Sequence, residues 1–357
     1  MKAFSCAAAA TARVPIASLR KEDHVATIKE VSLLARVSPA TVSRVLNGTT
    51  PVASATRVRV LEAVEALQYK PNAFARGLAT NRSGGIGVTV NAVSSPFFGA
   101  FVAGVEQVLR PAGIHLMLSS GFADLANERE SIEFLLERRC DGLIVQAERL
   151  DDGFLVDLVR GPTPVVIFGR RIAEIADACV VTDNELGGRL ATAHLLDHGH
   201  RRIGHVTGPL AFPDARARLH GYRRALEGAG VAYDERYVVE STFDEEGGAQ
   251  AAVRLLERAP ELTALFLSND QMAAGAMRAL RERAIEIPTD LSIVGYDDVF
   301  LARYLTPALT TIRQPLVDMG RTAAHLLLGR LGHIGEEVVH RFDPELVERQ
   351  TVARVAT

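Results

Sequence analysis

From residue 86 onward the chain alternates short β-rich apolar runs with longer amphipathic stretches, and this pattern most restricts what the chain can fold into. The runs are IGVTV (86–90), IHLMLS (114–119), GLIV (142–145), PVVIF (164–168), RIGHV (202–206), TALFL (263–267) and LSIVG (291–295). Between them lie helical stretches such as FGAFVAGVEQVLRPAG, ERESIEFLLERR, LGGRLATAHLLDHG and QMAAGAMRALRERA. Strand–helix alternation of this kind implies parallel sheets covered by helices on both faces. It is too long for one compact sheet, so two side-by-side α/β subdomains with a cleft between them are expected.

Ligands bind such sheets beyond the carboxyl ends of the strands, which selects the residues to inspect. Asn91 to Phe98 follows the first strand, Ser268-Asn269-Asp270 follows TALFL, and Tyr296-Asp297-Asp298 follows LSIVG. Arg216 and Arg218 come just after the loop that follows RIGHVTGPL. Carboxylate, amide, guanidinium and aromatic face together suit a small polyhydroxylated ligand. Taken singly, a strand-end Asp is as often a helix cap, and a Phe-Phe pair is usually core.

A different pattern precedes the alternation. Residues 27–47, TIKEVSLLARVSPATVSRVLN, read as two short helices joined by a tight turn. Thr27 caps the first helix, with Glu30 placed to complete a capping box, and Ile28, Val31 and Leu34 share a face. Ser38 caps the second, and Pro39 fits its first turn because the missing N–H would have no partner there. Val42, Val45 and Leu46 face inward, leaving Ala40, Ser43, Arg44 and Asn47 on a face short and polar enough to lie against DNA. A third helix is expected from Ser54 to Gln68, its stripe of Val58, Leu61, Val64 and Leu67 covering the first two. Residues 27–82 hold eight basic side chains against three acidic ones, whereas the whole chain carries −3. A basic head on an acidic body points to a polyanion partner for the head alone.

Lys70-Pro71-Asn72 ends the third helix. The following AFARGLAT (73–80) is about two turns long and contains Gly77, too little to be a stable helix alone in water. It reads equally as a flexible tether or as a segment that becomes helical on a partner's surface. Residues 1–26 read as a disordered extension whose apolar part is too short and broken for a signal peptide. A translation start at Val25 would leave a chain that begins with the capped helix.

At 357 residues with a 48% hydrophobic fraction, the chain has room for a small module and a large body, and no apolar run reaches bilayer length. Cys6, Cys140 and Cys179 are odd in number and far apart, supporting neither a disulfide framework nor a zinc site, and a reducing cytoplasm fits. Gly84-Gly85-Ile86-Gly87 precedes a strand rather than following one, so it is no dinucleotide fingerprint, and a Walker A motif is absent. His194, His198 and His200 lack an HExxH frame and read as a solvated helix end. No catalysis, cofactor or metal is expected.

With these residues in hand, the chain resembles the lac repressor family of bacterial transcription regulators from residue 26 on. VSPATVSRVLNG, YKPNAFARGLA, SSPFFGAFVAGVEQV, SNDQMAAGAM and VGYDDVFLARYLTPALTTIRQP match family patterns in order, with the galactose repressor branch the most similar. The resemblance implies that Pro39, Ala40 and Arg44 reach bases in the major groove and that Thr41, Ser43 and Asn47 lie near phosphates. Thr27, Ser38, Asn72 and Arg76 join this DNA-binding set, and Leu78 becomes the wedge that kinks the minor groove. On the body it implies effector contacts by Phe97, Phe98, Asp214, Arg218, Phe243, Asn269, Asp297 and Gln314. In that picture Asp297 and Asn269 hold hydroxyls, Arg218 spans the cleft and Phe243 stacks on a ring; the wall around Gln146 and Asp152 stays outside the set. Two departures stand out: Arg36 occupies the turn position usually held by Gly, and Ala53 stands where a capping Ser is common, which shifts the expected cap to Ser54.

The expected architecture is a small all-α helix-turn-helix head plus an α/β body of two doubly wound parallel-sheet subdomains of the periplasmic sugar-binding protein type. Its expected parts are an extension (1–26), the DNA-binding domain (27–70), a hinge helix or linker (71–82) and an effector and dimerisation domain (83–345). Within the last, the subdomains are expected at 86–164 plus 314–332 and at 165–313 plus 338–350. The implied partners are a pseudo-palindromic double-stranded DNA operator, a small sugar such as a hexose or galactoside, and a second copy in a homodimer, with no membrane. The implied function is repression of carbohydrate-use genes relieved by the sugar; the alternatives are a sugar-dependent activator or corepressor-type regulator, or a sugar-binding transport receptor.

Overall fold

The computed structural model describes residues 26–47, 51–69, 84–333 and 339–355. The chain divides into two compact units, the first ending at Thr80 and the second beginning at Asn81. The expected extension through residue 25 and the expected hinge at 71–82 lie outside the described residues.

In the first unit, α1 (Ile28–Leu34), α2 (Pro39–Asn47) and α3 (Ser54–Ala66) close around Val31, Ala35, Val42, Val45, Val60 and Ala63. Both halves of the α1 capping box form: Glu30 N–H donates to Thr27 Oγ1 at 3.4 Å, and Thr27 N–H donates to the Glu30 carboxylate at 2.7 Å. Ser38 caps α2 through the Thr41 amide at 3.2 Å. Beyond α1, Arg36 takes φ 54°, with Arg36 N–H on the Leu33 carbonyl and Val37 N–H on the Ser32 carbonyl. This is the left-handed helix ending that glycine usually provides, so the turn keeps its shape and Arg36 bears the strain.

The inward faces differ from the expected ones. Leu34 is exposed, and Ala35 takes its place in the core. On α3, Val58 and Leu61 are 53% and 47% exposed while Val60 and Ala63 are buried, because two neighbouring helices select a stripe one step round from the expected one. The helix starts at Ser54, but its N-cap is Ala53, with no side-chain cap, so the cap does not shift to Ser54.

The second unit holds two six-stranded sheets. The first has strand order β11-β5-β4-β3-β1-β2 and is parallel throughout. Its strands are β1 (Gly85–Val90), β2 (His115–Ser120), β3 (Gly142–Val145), β4 (Val165–Phe168), β5 (Cys179–Thr182) and β11 (Arg341–Phe342). The second has order β12-β10-β9-β8-β6-β7, with β12 antiparallel to β10. Its strands are β6 (Ile203–Thr207), β7 (Val238–Glu240), β8 (Ala264–Leu267), β9 (Ser292–Asp297), β10 (Thr310–Arg313) and β12 (Glu345–Val347). The expected division at 164/165 is therefore displaced: β4 and β5 pair in the first sheet, and the chain first crosses at Thr182–Asn184. Pairing between strands is non-local and leaves no mark in the local pattern that set the expected boundary.

Helices α4 (Pro96–Leu109), α5 (Leu125–Glu137) and α6 (Asp152–Arg160) belong to the first half. The second half carries α7 (Asn184–Asp197), α8 (Pro213–Gly228), α9 (Glu245–Arg258), α10 (Asp270–Arg281) and the short α11 (Leu301–Tyr304). The chain recrosses after β10, so that α12 (Leu316–Arg330) buries Met319, Ala323, Ala324 and Leu327 against Val88, Val105 and Ile144 of the first half. A third crossing follows β11. Arg341 pairs with Asp183, tying the first crossing to the third.

Candidate functional site

In the first unit, the outward face of α2 shows Pro39, Ala40 and Arg44 exposed and Thr41 and Ser43 half-buried, with Ser38 exposed just before it. Ser38 and Thr41 join their hydroxyls at 2.9 Å, and Thr27 is exposed but engaged in its capping box. Asn47 closes the helix. Asn72, Arg76 and Leu78 lie outside the described residues. The short side chains let a flat surface approach the backbone of α2, and Arg44 is the long donor on that face.

In the second unit, a cavity of about 500 Å³ opens between the two sheets at the carboxyl ends of their strands. It brings together all eight of Phe97, Phe98, Asp214, Arg218, Phe243, Asn269, Asp297 and Gln314. Its position follows from β1, β6, β8 and β9 all ending at the same rim.

Arg218 lies on α8 and is buried. Its guanidinium donates from Nε to Asn184 Oδ1 at 2.8 Å and from Nη1 to the Ser268 carbonyl at 2.5 Å. Nη2 faces Asp214 at 3.4 Å and Asp297 at 4.0 Å, and the group covers the Tyr296 ring at 3.9 Å. All these partners are on its own half, so Arg218 lines one wall rather than spanning the cleft. Close packing of α7 on α8 sets its place, since a methyl added at Gly188 would overlap the Arg218 carbonyl.

Asp297 ends β9 with φ 109°, and Asp298 follows with φ 55°. Two consecutive non-glycine residues in this region store strain of about 1–3 kcal/mol each, held by what surrounds them. Asp298 turns away from the cavity to Arg313 at 2.8 Å and Arg349 at 2.5 Å, which leaves Asp297 facing the cavity. Asp297 Oδ1 accepts from Gln314 Nε2 at 2.7 Å. Burial pushes the Asp297 carboxyl up to about 7, against the opposing effects of Arg218 and Gln314. Asn269 caps α10 through Met272 N–H at 2.8 Å and donates to the Phe243 carbonyl at 3.1 Å. One lone pair and one amide hydrogen remain for a ligand.

The apolar part of the lining comes from both halves. Phe97 and Phe98 meet edge to face at 5.0 Å, and Phe243 lies near Phe212 at 6.3 Å. Ser95 Oγ donates to Gln271 Oε1 at 2.9 Å, linking the halves at the cavity.

The expected set does not include the wall after β3, yet Gln146, Glu148 and Arg149 line the cavity. Buried Glu128 of α5 holds that loop by accepting from the N–H groups of Glu148, Arg149 and Leu150 at 2.9–3.1 Å. Gln146 Nε2 donates to Glu148 Oε1 at 2.6 Å, and burial together with Asp214 and Glu128 pushes Glu148 up to about 8. Asp152, the other residue on that wall, pairs with Arg170 instead. Asn184 was also missed, although its place after the crossing strand β5 marks it. Arg216 bonds to the Leu210 and Ala211 carbonyls, and Asp270 is buried on Thr311 and Val299; neither lines the cavity.

The three histidines do not form a solvated helix end. His194 and His200 are buried, because the chain after β12 packs over the end of α7.

A three-helix head with an exposed second helix, in one chain with a two-sheet body that holds a polar and aromatic cleft, defines a ligand-responsive DNA-binding regulator. Residues 27–72 match the family described as bacterial regulatory proteins, lacI family, and residues 192–352 match the periplasmic binding protein-like domain. The chain belongs to the lacI family of bacterial transcription regulators. It is 41% identical to the HTH-type transcriptional regulator GalR of Escherichia coli K12 over 330 residues, 92% of this chain and 96% of GalR. It is 42% identical to GalS of Salmonella typhimurium LT2, again over 92% of this chain and 96% of that one. Among solved structures, the lac repressor dimer bound to operator and the anti-inducer ONPF superposes with TM-score 0.82 at 29% identity, covering 92% of this chain and 99% of that one. The transcriptional regulator CelR–cellobiose complex matches with TM-score 0.68 at 33% identity, covering 91% and 99%. The family is one of regulators rather than enzymes, and among the described residues no helix is long and apolar enough to cross a membrane.

Proposed function

We propose that this regulator binds a pseudo-palindromic operator as a homodimer, represses carbohydrate-use genes, and leaves the operator when a neutral hexose or galactoside fills the cleft. The convergence of Asn269, Asp297, Gln314 and Arg218 with Phe97, Phe98 and Phe243 around one cavity carries this reading. Hydroxyls pair with the carboxylate, amides and guanidinium, and the apolar face of a sugar ring lies on the aromatic side chains. The lining gathers no net positive charge for a phosphate, since Asp214 and Asp244 stand beside Arg149 and Arg218 while burial holds Glu148 up to about 8. The cytoplasm is its place of action, and the cleft binds without catalysing.

On DNA, Arg44 reads a guanine bidentately while Pro39 and Ala40 pack on base edges. Thr27, Ser38, Thr41, Ser43 and Asn47 settle on the backbone. Asn72, Arg76 and Leu78 of the joining segment continue the contact and carry the coupling between the units. An effector shifts the equilibrium only as far as it binds the two conformations unequally, so the contacts that change as the halves close set the response.

The test is binding of the purified protein to its own upstream DNA at stated salt, with and without galactosides and other hexoses. One sugar dissolving a specific complex is the expected result. A sugar that tightens the complex would make the protein a corepressor-dependent regulator or an activator, and a turnover of any of these sugars would overturn the non-catalytic reading.

A further inference from the structure

We propose that His194, His198 and Glu348 form a binding site for a divalent cation of the zinc class, on the second half of the body and apart from the cleft. His194 lies in the last turn of α7 and His198 caps its C-terminus four residues on, so the two rings lie close together at that end of the helix. Glu348 follows β12, where the C-terminal segment passes over that end. One ligand atom from each of the three residues lies within 4.8 Å of the other two. None of the three lines the cleft.

The protonation states suit a metal. His198 Nδ1 is 2.8 Å from the His194 carbonyl, which can only accept, so the proton sits on Nδ1 and the Nε2 lone pair is available. A backbone carbonyl behind the imidazole is the arrangement that commonly orients a metal-binding histidine. His194 is only 7% exposed, and its buried Nε2 has no hydrogen-bond partner. A polar atom left this way is costly, and a cation would satisfy it. The two rings lie 4.4 Å apart and inclined at 54°, as two side chains converging on one point rather than stacking.

Among the described residues, three protein ligands come together at the site. His200 is fully engaged, with Nδ1 on Thr263 Oγ1 at 2.9 Å and Nε2 on the Ala353 carbonyl at 3.1 Å. Two imidazoles and one carboxylate suit zinc-class ions, whereas calcium and magnesium prefer oxygen donors throughout. The fourth position of a tetrahedral ion is left to water, so the cation exchanges with solution. The α7 C-terminus adds its partial negative charge to the same place.

The location suggests what the cation does. α7 begins at the first crossing between the halves, and Glu348 lies shortly after the third. A bound ion fastens the C-terminal segment to α7, beside the existing bond from Val355 N–H to the His198 carbonyl at 3.0 Å. The second half is thereby stiffened at the far end of α7, where the C-terminal segment passes over it. This assignment is independent of the sugar reading.

The experiment uses the full chain, without an affinity tag and freed of metal by a chelator, titrated with zinc under dialysis and with cobalt(II) followed by visible absorption. One cation per chain is expected, with the cobalt bands of a tetrahedral nitrogen and oxygen site and a higher melting temperature with zinc. His198→Ala should abolish the bands, and Glu348→Gln should weaken binding by more than about tenfold. These two positions are half-buried and exposed, so both variants should melt like the metal-free wild type. Zinc binding that is absent, or equal in the wild type and both variants, overturns the proposal. So does a sulfur-to-cobalt charge-transfer band, which would put the ion on a cysteine.

Discussion

Gln314 Nε2 donates to Asp297 Oδ1 at 2.7 Å, joining the strand-end carboxylate of the second sheet to the stretch where the chain crosses back to the first. On the proposed reading, a ligand that took over the Asp297 carboxylate would also change what holds that crossing.

Asp297→Asn should cut effector affinity by roughly ten- to a hundredfold, the size of a lost hydrogen bond to a charged group at about 1.5–3 kcal/mol. Operator binding without effector should stay close to wild type, giving a repressor that no longer responds. Calorimetry with the identified sugar and a DNA-binding assay read the two effects separately. A variant that keeps its sugar affinity would remove Asp297 from the site.

Acidity offers a second check. Burial, Asp214 and Glu128 hold Glu148 up to about 8, and burial holds Asp297 up to about 7, against ordinary values of 4.5 and 3.8. Between those limits the folded chain binds more protons than the unfolded one. These groups therefore make stability fall as pH rises from about 4 to 8, and nothing more is lost above that. Urea melts at several pH values should show a shallower fall in Glu148→Gln than in the wild type. A sugar hydroxyl donating to either carboxylate favours the ionised form, so affinity should tighten up to about pH 8 and then level off; affinity that weakens over this range would contradict the hydroxyl-to-carboxylate pairing.

Arg44→Ala should cost about 1–3 kcal/mol of discrimination at one operator base pair. Loss confined to that position, measured against a set of single-base operator variants, is the expected pattern. An equal loss on every sequence would place Arg44 on phosphate instead.

Arg36→Gly should stabilise the first unit by about 1 kcal/mol, because φ 54° no longer strains a side chain. Thermal melts of the full chain report this as a later transition of the helical unit. If Arg36 also touches phosphate, the same variant loses one step of salt dependence in DNA binding. A lower melting point would mean that the Arg36 side chain contributes more than its backbone costs.

Much of the site was legible because strand ends announce themselves. Asn269 and Asp297 follow the apolar runs TALFL and LSIVG, and the cleft forms where those runs stop. Glu148 was not legible: its wall is a loop whose shape depends on buried Glu128, distant in sequence and indistinguishable from the other acids of an amphipathic helix. The burial of His194 was not legible for a similar reason, since its cover arrives from residues more than a hundred positions later.

The sequence by itself determined the kinds of element, the two helix caps at Thr27 and Ser38, the repeated strand–helix order and the family, because local sterics and periodicity act over a few residues and leave their pattern in them. Only the tertiary structure decided that β4 and β5 belong to the first sheet, that Val60 rather than Val58 faces the helical core, and that Arg218 lies along its own wall. Each of these depends on which distant surfaces meet. That choice is made by packing across the whole unit, where one strand pairing excludes another and one helix face must fit its neighbours.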